Sequence, residues 1–359
     1  MSFSNDDHVT QAGAMIAAGQ AHQAARDLTA LLAAGRGGAL ARVTLVKALI
    51  AAGDVEAALA EAREAVSLNP DLPEALVALG RALLAAENLP AAIAELQRAL
   101  RHDPDHQEAR FLTGRAWTEA GEADKALAVF DQLDDQTPGL AEWRKRAEAM
   151  KDAARSDPGY VRHLFDQFSA DYDRRMRDEL SYAAPEILRD LADLVMPGRQ
   201  GLTVLDLGCG TGLGGVAFRP RALRLDGVDL SPAMVEKARA KNVYDHLMVG
   251  DIETALAESG PAYDLVIAAD TLVYLGDLTP LFQNIRARLS GDGYFLFTVE
   301  AAEGDGFAMG PKRRWRHSEA YLRRLAAASG LVLAGLVAAS PRREAGVPVE
   351  GFAAAFAAA

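Results

Sequence analysis

Small and apolar residues recur along the first part of the chain with a period too long for one helix. Ala24, Ala58, Ala92 and Ala126 stand 34 residues apart, and Pro70, Pro104 and Pro138 keep the same interval, as do Gly80 and Gly114. Gly19, Gly53 and Gly121 precede their alanines by five residues, where one helix has to turn into the next, and Glu87-Asn88 takes that place in the third unit. Leu96 and Phe130 fill a large apolar position in the third and fourth units, whereas Ala62 leaves it small in the second. A unit of this length is a helical hairpin that buries its apolar face only by stacking on its neighbours. Four units are expected over residues 5–138. The first is the least regular, lacking the closing proline and ending in Gly35-Arg36-Gly37-Gly38. Residues 140–154, with Trp143 in a charge-rich stretch, predict a terminal solvating helix. Arg155-Ser156-Asp157-Pro158-Gly159 reads as a turn-rich hinge, so that 139–159 form a capping helix and linker.

After residue 200 the rhythm changes to short apolar runs closed by Gly or Asp. Runs at 204–207, 223–230, 247–252, 263–269, 293–299 and 331–337 predict strands, and 351–359 a weaker one because alanine favours strands little. Ser231-Pro232 opens a helix with a capping hydroxyl and a first-turn proline, and residues 318–329 predict another between Ser318 and Gly330. Strands alternating with helices predict a mostly parallel, doubly wound α/β sheet of Rossmann-like type over 201–359.

Candidate chemistry concentrates in Val204-Leu205-Asp206-Leu207-Gly208-Cys209-Gly210-Thr211-Gly212. A strand that stops on such a turn offers bare backbone to a ligand, since glycine has no side chain to hold it off. Gly210, Gly212 and Gly215 also spell the G-x-G-x-x-G dinucleotide fingerprint, and Asp229 stands about where its acid belongs. Asp206 separates the two readings. A nicotinamide-type turn usually has an apolar residue there, whereas a carboxylate at the strand end neutralises a cationic ligand directly or through water. Asp229, closing the second strand, is placed to accept hydrogen bonds from ribose hydroxyls.

The glycine segment resembles the first motif of the class I S-adenosylmethionine (SAM)-dependent methyltransferases. That resemblance implies SAM as cofactor, cradled by Asp206, Gly208, Cys209, Gly210 and Gly212. Leu230 and Met234 would then pack on the adenine, although Met234 reads equally as a plain core contact. Asp251 would accept from the adenine amino group and Ile252 lie against its ring. Ala269, Asp270 and Tyr274 follow the fourth strand, whose carboxyl end borders the ligand in such sheets. Asp270 and Tyr274 are the candidates to orient or deprotonate an acceptor. No Asn/Asp-Pro-Pro-Tyr/Phe motif follows this strand, which lowers the weight of nucleobase and protein-amide methylation. Nor does the histidine that related small-molecule enzymes often place near Tyr274.

The 34-residue period resembles the tetratricopeptide repeat. Between the halves, Phe165-Asp166-Gln167-Phe168-Ser169-Ala170-Asp171-Tyr172-Asp173 is similar to the helix that covers the cofactor in many small-molecule methyltransferases. A helical lid is therefore expected over 160–200, with Tyr172 reaching the methionine end. The whole order is similar to the bacterial tetratricopeptide-repeat methyltransferases. The implied activity is in-line methyl transfer from SAM to a small-molecule acceptor, the repeats docking a protein partner or dimerising the enzyme. A protein substrate held by the repeats, or a SAM-binding scaffold without turnover, remain as alternatives. Arg342 and Arg343 are placed either to bind an acidic acceptor or to lie on the surface.

A formal net charge of −12 over 359 residues argues against a nucleic-acid backbone as partner. The basic run from Lys312 to Arg316 reads as a solvated loop before a helix. Cys209 is the one cysteine, and its small size accounts for it inside the glycine turn. No Cys/His cluster has metal-ligand spacing, and neither a secretory signal nor a membrane-spanning run is expected. A cytoplasmic protein is the expectation.

Overall fold

The computed structural model describes residues 5–258 and 260–359, which divide into two compact units at Asp152/Ala153. The first unit is all helical. Its hairpins are α1 (Asn5–Ala17) with α2 (Ala21–Ala33), α3 (Gly38–Ala51) with α4 (Val55–Leu68), α5 (Pro73–Ala85) with α6 (Leu89–His102), and α7 (Gln107–Glu119) with α8 (Ala123–Phe130). Helix α9 (Leu140–Asp152) closes the stack. Ala24, Ala58, Ala92 and Ala126 have no exposed surface, because at these points paired helices meet. A Cβ on Gly80 would come within 2.6 Å of Leu96, and one on Gly114 within 2.3 Å of Phe130. The equivalent pair in the second unit is Val46 and Ala62, both fully buried. There the bulk has moved from the second helix to the first. The turn glycines Gly19, Gly53 and Gly121 take φ of 76–83°, and Glu87 takes 56° in the same place. Asn88 Oδ1 accepts from the Ala91 N–H at 3.3 Å, capping α6 as Asp54 caps α4.

The second unit holds strands β1 (Leu202–Leu207), β2 (Ala222–Asp229), β3 (His246–Val249), β4 (Tyr263–Ala268) and β5 (Leu289–Ala301). Beyond them come the short β6 (Phe307–Met309) and β7 (Trp315–His317), β8 (Leu331–Ala339), the hairpin of β9 (Arg343–Glu344) and β10 (Val347–Pro348), and β11 (Gly351–Ala358). The main sheet runs β3-β2-β1-β4-β5-β11-β8. Its first five strands are parallel, and β11 is antiparallel to both β5 and β8.

The alanine-rich last stretch is thus an interior strand. Ala353 and Ala355 pack with Leu188 and Leu191 on one face. Ala354 and Phe356 pack with Phe282, Phe295 and Phe297 on the other. Tight covering on both faces suits small side chains, so packing decides the matter over propensity.

Helices α10 (Pro158–Phe168), α11 (Tyr172–Asp178) and α12 (Ala184–Val195) precede β1. Of the stretch expected as a lid, α12 departs from that role. Its apolar face, Leu188, Leu191 and Ala192, is buried in the sheet-side cluster. The remaining helices are α13 (Leu213–Phe218), α14 (Pro232–Ala240), α15 (Ile252–Ala257), α16 (Thr279–Arg288) and α17 (Glu319–Ala328). Ser231 and Ser318 cap α14 and α17 through their hydroxyls. Among the described residues, no helix is long and apolar enough to cross a membrane.

Candidate active site

The carboxyl ends of β1, β2 and β4 open onto a cleft. Tyr172, Gly208, Gly210, Asp229, Leu230, Asp251, Ile252, Ala269, Asp270 and Tyr274 line it. Ten of the fourteen sequence candidates therefore line one cleft. Asp206, Cys209, Gly212 and Met234 are set behind it.

The glycine loop explains the split. Gly208, Gly210 and Gly212 have φ of 68°, 53° and 95°, a region that side chains disfavour. A Cβ on Gly210 would meet nothing within 4 Å, so bare backbone faces open space there. Gly208 is constrained differently, since its Cβ would fall 2.4 Å from the Thr271 hydroxyl. That hydroxyl donates to the Leu207 carbonyl at 2.9 Å, tying the end of β1 to the loop after β4. Asp206 is 1% exposed and accepts from the Tyr244 hydroxyl at 2.7 Å. Tyr244 Oη in turn accepts from the Gly215 N–H at 3.0 Å. Gly215, the third glycine of the alternative fingerprint, leaves room for this ring, as a Cβ would lie 2.3 Å from it. Burial raises the Asp206 carboxyl to about 7, against the pull of the Tyr244 hydrogen bond. Met234 is fully buried on the inner face of α14, the plain core contact.

Asp229 holds the loop from the neighbouring strand. Its carboxylate accepts from the Gly210 N–H at 2.9 Å and the Ser231 N–H at 2.8 Å. Each oxygen keeps a further lone pair toward the cleft. Burial raises this carboxyl, and the two backbone bonds oppose the rise. Asp251 caps α15 through the Glu253 and Thr254 N–H groups and is ion-paired with Arg155 at 2.5 Å.

At the other end the walls are aromatic. Phe165 meets Tyr172 and Tyr274 edge-on, with ring centroids 6.1 and 5.6 Å apart. Burial pushes the Tyr274 phenol up to about 12, so it is neutral near pH 7. Asp270 adopts a positive φ of 58° at the end of β4, and its N–H donates to Thr298 Oγ1 at 2.8 Å. Its carboxylate pairs with Arg342, which is 1% exposed and also pairs with Glu300 and Glu344. Burial raises the Asp270 carboxyl while the Arg342 guanidinium pulls it down. Arg342 is thus a buried counter-ion with no face left for an acidic acceptor, and Arg343 is exposed. The basic run beside it is spent in the same way, Lys312 and Arg314 both pairing with Glu344.

Two carboxylates of α10 and α11 are tied to the loop after β1 and to α14 and its cap. Ser231 Oγ donates to Asp166, and Thr211 Oγ1 and Lys241 Nζ both donate to Asp173, the latter at 2.6 Å. Arg155, Ser156, Phe165, Thr271 and Leu275 line the cleft as well. Phe165 was legible in the lid motif, but nothing in the sequence marked the other four. A histidine does reach the loop that follows Tyr274. His317 is fully buried and its Nε2–H donates to the Gly276 carbonyl at 3.0 Å. Burial lowers it to about 4, so it stays neutral, and it is not on the cleft wall.

The strand order also bears on the glycine fingerprint. A dinucleotide fold runs 3-2-1-4-5-6, whereas here an antiparallel strand enters between the fifth and the last. Comparison with known proteins agrees. Residues 168–334 match a methyltransferase domain model, and two tetratricopeptide-repeat models match residues 77–141 and 50–99. Methyltransferase-like protein 27 of Homo sapiens is 39% identical over 87 residues, 24% of this chain and 35% of that protein. A malonyl-[acyl-carrier protein] O-methyltransferase of Serratia marcescens is 29% identical over 126 residues, 33% of this chain and 48% of that protein. The chain spans less than half the length of these two relatives. A magnesium protoporphyrin IX methyltransferase structure from Synechocystis, solved with SAM, covers 58% of this chain and all of its own, at 19% identity and a TM-score of 0.45. The chain carries tetratricopeptide repeats in its N-terminal part and, after them, a methyltransferase domain of the class I, SAM-dependent type.

Proposed function

We propose that the protein transfers a methyl group from SAM to a small-molecule acceptor bound at the aromatic end of the cleft. The observation that carries this is the gathering of Gly208, Gly210, Asp229, Leu230, Asp251 and Ile252 on one wall at the strand ends. The residues fit the cofactor. Gly210 presents uncovered backbone, Asp229 keeps acceptor capacity for a ribose, and Leu230 and Ile252 supply apolar surface for a base. Asp206, beneath the loop, adds negative charge near a cationic ligand when ionised, above about pH 7. When bound, SAM would supply a sulfonium-activated methyl carbon, open to in-line attack by an acceptor nucleophile with S-adenosylhomocysteine as the leaving group. The chain's own part is to align and enclose. Alignment alone supplies roughly 7–11 kcal/mol of such a barrier. Phe165, Tyr172 and Tyr274 exclude water, the Tyr274 hydroxyl orients the acceptor as a donor, and Asp270 is the carboxylate nearest to take its proton.

The repeats dock a protein partner or a second copy of the chain. A second reading joins the two parts. Several relatives are named for O-methylation of a malonyl group on acyl-carrier protein, a small acid presented by a protein. A chain with both a small cleft and a docking domain suits such an acceptor.

Calorimetric titration with SAM and, separately, NADH tests the core of the proposal, using wild type and Asp229→Ala. Micromolar SAM binding by wild type, weakened at least tenfold in the variant, is expected. Binding of NADH in place of SAM would sink it. Radiolabelled methyl transfer to small acids, free and carrier-bound, then separates an enzyme from a non-catalytic scaffold.

A further inference from the structure

We infer that Arg155 and Ser156, on the segment leading out of the repeats, complete the nucleobase end of the cofactor cleft and set its preference for an amino-bearing purine. The inference rests on the SAM reading above. Both residues lie ahead of the stretch that matches the methyltransferase model, which begins at residue 168.

The expected hinge is a fastened strap. Arg155 forms an antiparallel bridge with Leu275, and the Ser156 N–H donates to the Tyr274 carbonyl at 2.8 Å. The Gly276 and Asp277 N–H groups both donate to the Ala154 carbonyl, at 2.8 and 2.9 Å. Gly276 permits the approach, because a Cβ there would sit 2.8 Å from that carbonyl oxygen and 2.6 Å from Trp315. The strap therefore joins the loop after β4, which carries Tyr274, to the loop after β3, which carries Asp251.

Arg155 grips the second of these loops, pairing with Asp251 and with Glu253. Burial raises the Asp251 carboxyl, but the Arg155 guanidinium, joined by the Thr254 and Glu253 N–H groups, holds it below the ordinary carboxylate range. Asp251 is then ionised and purely an acceptor. An acceptor-only carboxylate welcomes the amino group of adenine and rejects the carbonyl of hypoxanthine. Arg155 is thus a positioning residue that acts through Asp251.

Ser156 supplies the independent observation. It is 7% exposed and lines the cleft, yet its hydroxyl has no hydrogen-bond partner among the described residues. Buried hydroxyls are normally satisfied. A ring nitrogen of a bound purine meets that need, and Ser156 can donate to it or accept from it.

The test is calorimetry on the full-length chain with two probes, S-adenosylhomocysteine and S-inosylhomocysteine, whose bases differ in an amino group against a carbonyl and in an adjacent ring nitrogen that accepts in the first and donates in the second. Wild type is expected to favour the adenine form. Ser156→Ala should weaken both ligands about fivefold, and Ser156→Thr, which keeps the hydroxyl, should restore most of the loss. Arg155→Ala should weaken the adenosyl ligand about tenfold and shrink the discrimination between the two. Arg155→Gln removes the charge while keeping a polar side chain and serves if the alanine variant does not fold. Unchanged affinity in Ser156→Ala, or unchanged discrimination in the Arg155 variants, overturns the inference while the SAM reading stands. Failure of wild type to bind either probe removes the reading beneath it.

Discussion

Asp206 carries the glycine motif, yet its place in the structure was only half legible. The alternation along β1 puts it at the strand end, but Tyr244, which turns it away from the cleft, comes from 38 residues further on. No local pattern announces such a partner. The consequence is a pH dependence with a definite sign. The carboxyl is raised from an unfolded value near 4 to about 7 by burial. A group raised in this way adds stability that is complete below about pH 4 and is lost as the pH climbs through 7. Asn at this position still accepts the Tyr244 hydrogen bond and carries no charge. Asp206→Asn is therefore expected to remove a fall of about 2–4 kcal/mol between pH 4 and 7. Urea unfolding at several pH values measures it, and identical pH profiles for wild type and variant would refute it. Arg342 teaches the same lesson from the other side. An arginine pair near the chain's end gave no sign that one member is buried among Asp270, Glu300 and Glu344 while its neighbour is exposed.

Elements were more legible where a period repeats itself. The 34-residue spacing placed all four hairpins, because Ala24, Ala58, Ala92 and Ala126 mark a contact that recurs by construction. The irregular second unit, with Ala62 in the large position, had no explanation in the sequence alone. In space Val46 occupies the place that Gly80 and Gly114 hold in the later units, so the two helices exchange bulk while keeping the gap filled. Ala62→Leu should then overpack the second hairpin and cost about 1–3 kcal/mol. Adding Val46→Gly should recover part of that loss, since the double variant recreates the third unit's Gly80–Leu96 pair. Denaturation of the two variants measures the coupling. Equal costs for the single and double changes would mean that the two positions are not packed against each other. Strand β11 was less legible for the opposite reason. Its five alanines carry little strand preference, and only the layers on both sides of the sheet make that composition suitable.

At the scale of the whole molecule, two units with separate hydrophobic clusters meet at Asp152/Ala153. The sequence located this change of architecture through the end of the 34-residue period and the turn-rich segment after it. It did not reveal that the segment belongs to the cleft, because the partners of Arg155 and Ser156 lie about a hundred residues away. Two cores imply two unfolding events, and a ligand held by one unit stabilises that unit alone. At a hundredfold excess over its dissociation constant, a ligand adds about 2.7 kcal/mol to the state that binds it. For a unit of this size that is a shift of roughly 5–10 °C. Differential scanning calorimetry of the intact chain is expected to resolve two transitions, with S-adenosylhomocysteine moving one and leaving the helical one in place. Equal movement of both would mean that the repeats unfold together with the cofactor unit. In that case the strap carries stability across the boundary as well as closing the cleft. Movement of neither would mean that the ligand does not bind the folded chain.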